Sequence, residues 1–254
     1  MRNAFFSVLA LTLFLSFSIG HCFAQSIRDL DLNGFKLGEP AAGVKEKLLS
    51  VNPNFEFFEV AIPASFAMRD LKSGDKFRAL VAVARIDKSK KIEDKARYFE
   101  EKTDYSEYML FSFADEKIWY VHGERVFGKN KFESRQTSEN GLISKYGDKT
   151  ALRFPYEFLW LFDEAGEVIP RPADGRIKIN CPMANFLSIP VETALFSELH
   201  APMNFNSDCH YAIQATLSQV PSSKHGEVKY VSGIDVTMVD LSPAKEKFIG
   251  KNEE

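Results

Sequence analysis

Apolar residues in this chain fall mostly at every second position, and helical spacing is confined to a few short stretches. After Glu39-Pro40 the apolar Val44, Leu48 and Val51 recur four and three residues apart, which predicts a helix that begins at the proline and stops before Asn52-Pro53. Thr137 is placed to cap a second helix running to Tyr146, with Leu142, Ile143 and Tyr146 inward and Gly147 as its left-handed stop. Shorter helices are predicted over residues 92–101, where Ile92, Ala96 and Phe99 share a side, and from Ser242-Pro243 onward.

Strands take up more of the chain. Alternating or continuous apolar runs predict them at residues 30–38, 55–62, 77–86, 108–114, 118–127, 176–180, 210–218 and 227–241. Met109, Phe111 and Phe113 alternate with Tyr108, Leu110 and Ser112, so 108–114 and 118–127 read as a hairpin closed by Asp115-Glu116-Lys117. In the last run Ile234, Val236 and Met238 alternate with Asp235 and Thr237, the pattern of a sheet with one wet face. The strongest signal is aromatic. Phe154, Tyr156, Phe158, Trp160 and Phe162 take alternate positions, so a single pleated strand would turn all five rings to one face. Short turns, not crossover helices, join neighbouring strands. The fold class that follows is α+β, mainly antiparallel sheets with a few short helices packed on them.

The opening breaks this pattern. Residues 4–19 are apolar apart from Ser and Thr, Arg2 precedes them, and Gly20-His21-Cys22-Phe23-Ala24 ends in the small residues that a signal peptidase reads. As a helix this stretch covers about 24 Å, short of the ~30 Å hydrocarbon core of a bilayer. Residues 1–24 are therefore expected to be a signal peptide cut after Ala24, leaving a periplasmic or secreted chain with no transmembrane segment. Its rival, a lipid anchor on Cys22, is disfavoured by His21, which stands where a small residue is expected. The Gly128-Lys129-Asn130-Lys131 tract then divides the remainder into residues 25–130 and 131–254, each long enough to bury a core.

Composition narrows the function classes. With 32 Lys+Arg against 35 Asp+Glu and a net charge of −3, the chain has no electrostatic drive toward phosphate backbones, so nucleic acid is not an expected partner. Of the 3 Cys, only Cys181 and Cys209 lie beyond the cleavage site, and in an exported protein such a pair is expected as one disulfide. Closing that loop of about 28 residues removes roughly 3 to 4 kcal/mol of unfolded-chain entropy. His200, Asp208 and His210 beside these cysteines sketch a metal-dependent hydrolase as the alternative. Gly-x-Ser-x-Gly, His-Glu-x-x-His, phosphate-loop and dinucleotide patterns do not occur. Ser73 and Ser242 each open a Ser-x-x-Lys, but the partner motifs of that chemistry are missing. His122, beside Tyr120 and Glu124, reads as a half-exposed structural histidine. No catalytic residues and no cofactor are assigned.

The aromatic row suggests a platform for a sugar or a partner protein, with Tyr156 and Trp160 as its contacting rings. Against that, 23 Phe to 2 Trp is a composition for packing, and five bare rings would exceed the apolar patch a monomer tolerates. The helix–stop–aromatic-strand order also recurs, at residues 40–60 and 137–162. Gly34-Phe35-Lys36-Leu37-Gly38-Glu39-Pro40 followed by Val44 and Leu48 resembles the opening of small exported helix-and-sheet modules, the small outer-membrane lipoprotein A and β-lactamase inhibitor protein types. Leu142, Lys145-Tyr146-Gly147 and Trp160 are similar to the helix, glycine stop and Trp strand of the same modules, with Lys149 where they carry Pro. The resemblance implies two tandem modules and a protein-binding or envelope-accessory role without catalytic residues. The expectation is an exported, non-catalytic protein that binds another envelope or extracellular protein.

Overall fold

The computed structural model describes residues 26–63, 76–85, 105–127, 132–154, 156–171, 209–219 and 230–243. They build an α+β fold of two helices and one large sheet, α1 Val44–Val51, β1 Phe55–Pro63, β2 Lys76–Arg85, β3 Tyr105–Ala114, β4 Lys117–Val126, β5 Glu133–Ser134, α2 Arg135–Tyr146, β6 Ala151–Phe154, β7 Glu157–Phe162, β8 Tyr211–Gln219 and β9 Tyr230–Asp240. The order across the sheet is β1-β2-β3-β4-β9-β8-β7-β6, with the two-residue β5 paired to β9. Every pairing is antiparallel. Each helix precedes four strands that neighbour one another, and the last strands of the two sets, β4 and β9, meet at the centre.

Local chemistry moves the helix starts from their expected places. Gly43 sits at φ 87°, a left-handed turn that delays α1 until Val44 although Pro40 lies upstream. Val44 and Leu48 are buried as expected, but Val51, the last helical residue, is 65% exposed. In α2 the cap is Ser134, whose hydroxyl accepts from the Thr137 N–H at 3.1 Å, so Thr137 lies inside the helix. Leu142 and Tyr146 face inward, Ile143 is half-buried, and Gly147 stops the helix at φ 79°.

Residues 30–38 are not a strand. Asn33 and Gly34 take positive φ, 53° and 85°, which folds the run back so that Leu32 bridges Phe35. Residues 26–41 instead form a strap over the helix-bearing face, with Ile27, Leu30, Leu32 and Phe35 buried. Its start bonds the loop after β7, Ile27 N–H to the Gly166 carbonyl at 2.9 Å, and its end bonds the β3–β4 turn, Ala41 N–H to the Glu116 carbonyl at 2.7 Å. The hairpin is where the pattern placed it, turning on Asp115 and Glu116 at φ 49° and 58°. The predicted five-ring strand is broken. Phe154 on β6 and Glu157 on β7 are cross-strand partners, so the chain reverses between them.

One face of the sheet packs against α1, α2 and the strap through Phe111, Val121, Met238, Ile213, Phe158, Trp160 and their neighbours. The second face is buried too, through Val81, Val83, Leu110, Leu159, Leu161 and Val239. The wet face expected from the β9 pattern is therefore absent at its middle, where Thr237 is 5% exposed. No helix among the described residues is long and apolar enough to cross a membrane. The predicted elements at 92–101 and 176–180 lie outside the described residues, as does the chain beyond Pro243.

Candidate functional site

Trp160 is not a surface platform. It is 0% exposed, its Nε1–H donates to the Gly147 carbonyl at 2.9 Å, and its ring packs 5.4 Å from Tyr146 and 6.4 Å from Phe158. Tyr156, half-buried in the turn before β7, has the Arg135 guanidinium 5.0 Å from its ring centre. The two residues thus differ in depth, Tyr156 half-buried in the turn and Trp160 fully buried on β7. Cys209 is fully buried just before β8, and Cys181 lies outside the described residues. His210 is half-buried, its backbone N–H bonded to the Phe162 carbonyl, while His200 and Asp208 lie outside the described residues. Among the described residues no group of three or more His, Cys, Asp or Glu is placed to hold a metal ion.

The polar residues that the structure does bring together are on the second face. Strand register sets them in rows across the centre. One row runs Gln214, Thr237, His122 on β8, β9 and β4, and the next runs Glu157, Thr216, Asp235, Glu124, Tyr108 on β7, β8, β9, β4 and β3. Ser112 and Tyr120 continue the patch on β3 and β4. Both described helices lie against the opposite face, so this layer belongs to neither of them.

The layer is knit by side-chain bonds. His122 Nδ1 and Thr237 Oγ1 share a hydrogen bond of 2.8 Å, and the His122 ring stands edge-on to Tyr108 at 6.0 Å. Gln214 Nε2 donates to Glu157 Oε1 at 2.5 Å. Trp119 Nε1–H donates to Ser112 Oγ at 2.9 Å, and its ring tilts against Tyr120 at 5.9 Å. His122 is 7% exposed, not half-exposed as its sequence neighbours implied, because Thr237 and Tyr108 enclose it. A hydroxyl 2.8 Å from an imidazole also suits a nucleophile and its base. Here the two residues are direct cross-strand partners in the middle of a sheet, which accounts for the contact without chemistry.

Glu124 and Asp235 stand opposite each other in register, both half-buried. The layer thus sets carboxylates and aromatic edges in one row across the strands. Sequence patterning did not find it. The only trace is a run of polar residues at alternate positions of β4, β8 and β9, and their meeting depends on a register that no single segment encodes.

Comparison with known proteins adds no relative: no family model, no curated protein and no solved structure matches the chain.

Proposed function

We propose that this chain is an exported, non-catalytic accessory protein that binds another protein of the envelope or extracellular space, and that the half-buried edge of the polar layer at Thr216, Asp235 and Glu124 takes part in the recognition. The observation that supports this most is the polar–aromatic layer centred on β4 and β9. A face meant only for packing would continue the Val and Leu of its outer columns. This one instead buries His122, Gln214, Glu157 and Thr237 and sets Glu124 against Asp235. Its buried members are bonded to one another, and the half-buried Thr216, Asp235 and Glu124 are the part of the layer that a partner can reach.

Other parts of the reading rest on the sequence. The apolar opening followed by Ala24 supports export, and a Cys181–Cys209 bridge belongs with that compartment. The succession α1–β1–β2–β3–β4, then α2–β6–β7–β8–β9 with the two fourth strands paired, supports two tandem modules, 25–130 and 131–254, of the kind that the resemblance to exported helix-and-sheet modules implies.

The test is site-specific photo-crosslinking in living cells. A photo-reactive residue at position 124 or 235 is expected to yield a discrete adduct with one protein, and the same residue at Lys36 or Leu49, on the strap and α1, is not. Adducts of equal yield from both sides, or none from 124 and 235, refute recognition by the second face.

A further inference from the structure

On the helix-bearing face, away from the polar layer, a cleft of about 490 Å³ opens between the end of α1, the end of β4 and the start of α2. Its lining combines Asn52, Glu107 and Arg125 with Phe127, Phe132 and Glu133. Phe132 is 49% exposed and Val51, next to Asn52, is 65% exposed, so two of the few exposed large apolar side chains among the described residues lie at this cleft or its border. Phe127 packs on the core from the other side.

The polar end of the cleft is unevenly satisfied. Asn52 Nδ2 donates to Glu107 Oε2 at 2.8 Å, and Glu133 accepts a short hydrogen bond from the Ser138 hydroxyl. Arg125 is different. Its side chain is 72% exposed, and its only charge contact among the described residues is Nε at 3.8 Å from Glu107 Oε1, beyond hydrogen-bonding distance. Its fork of N–H donors therefore stands open beside an exposed phenyl ring. A guanidinium fork matches a carboxylate bidentately, and phenyl rings match an aliphatic side chain.

We propose that this cleft captures the C-terminal residue of a partner polypeptide, its carboxylate on the Arg125 fork and its apolar side chain between Phe127 and Phe132. A chain end is favoured over an internal acidic residue because the last residue alone carries a carboxylate and an apolar side chain on one Cα. Glu107 competes with the incoming carboxylate for the same guanidinium and keeps the site open to exchange. This site goes beyond the second-face reading, and crosslinking there and capture here succeed or fail separately.

The experiment is fluorescence anisotropy with the exported chain and a labelled pentapeptide ending in leucine, prepared as the free acid and as the C-terminal amide. The acid is expected to bind saturably, and the amide at least about tenfold more weakly, since a charge-assisted contact is lost. Arg125→Gln should lose a similar factor, Phe132→Ala should weaken the acid, and Glu107→Gln should tighten it. Both side chains that are truncated or neutralised to weaken binding are exposed, so these variants keep the fold. Equal affinity for acid and amide, no saturable binding of either, or equal binding of an amidated peptide with an internal Leu-Glu overturns the proposal.

Discussion

Replacing Trp160 by alanine is the sharpest perturbation of the core, because this residue separates a buried ring from an exposed platform. The side chain is 0% exposed between Tyr146 on α2 and Phe158 on its own strand. Truncating a buried tryptophan costs about 3–5 kcal/mol through lost transfer energy and the cavity left behind. The hydrogen bond from Nε1 to the Gly147 carbonyl adds about 1 kcal/mol, since that carbonyl ends α2 and loses its partner. A total near 4–6 kcal/mol is a large part of the 5–15 kcal/mol typical of a domain and lowers Tm by about 2–4 °C per kcal/mol. Trp160→Phe keeps most of the packing and loses chiefly the hydrogen bond, so it should cost about 1–2 kcal/mol. The assay is urea unfolding of the purified chain followed by far-UV circular dichroism, which does not depend on the deleted fluorophore. A folded Trp160→Ala protein within about 0.5 kcal/mol of the parent would refute the packing argument, because a truncation so small in effect is the mark of a surface residue.

Three further outcomes follow from the strap and the hairpin. A Cβ at Gly166, already at φ 88°, would lie 3.0 Å from Ser26 Oγ and 3.1 Å from Ile27 Cγ2, so Gly166→Val should cost about 1–3 kcal/mol and expose residues 26–41 to limited proteolysis. Burial raises the Asp31 pKa, but the Gly34 N–H, Lys145 and Lys36 outweigh it and hold the carboxyl below its ordinary value. A lowered native pKa stabilises above the unfolded value and is lost as pH falls, so the parent should exceed Asp31→Asn by up to about 1 kcal/mol at neutral pH, the gap closing below about pH 4 in a Tm-versus-pH series. Glu116→Gly relieves a positive φ of 58° in the two-residue hairpin turn and should raise Tm, by up to about 1 kcal/mol of stability less the exposed Arg78 ion pair.

What could be read from the residues was local. The β3–β4 hairpin, the inward Val44, Leu48, Leu142 and Tyr146 and the Gly147 stop depend on spacing within about ten residues, and there pattern and structure agree, whereas Val51 of the same α1 stripe is exposed. Departures arose where a backbone requirement outranked the pattern. Asn33-Gly34 turned an alternating run into a strap, Gly43 delayed α1, and a chain reversal between Phe154 and Glu157 divides the row of rings between two strands. The second-face layer was illegible for another reason. His122 and Thr237 are far apart in the chain and meet only through the central β4–β9 pairing, a contact with no local signature.

Intact-mass and amino-terminal analysis of the chain recovered from cells bears most directly on the claim that it is exported and acts outside the cytosol. The account predicts a chain beginning at Gln25, found outside the cytosol, and lighter by the two hydrogens lost when Cys181 and Cys209 join. A cytosolic chain that retains its first 24 residues and both thiols would contradict it.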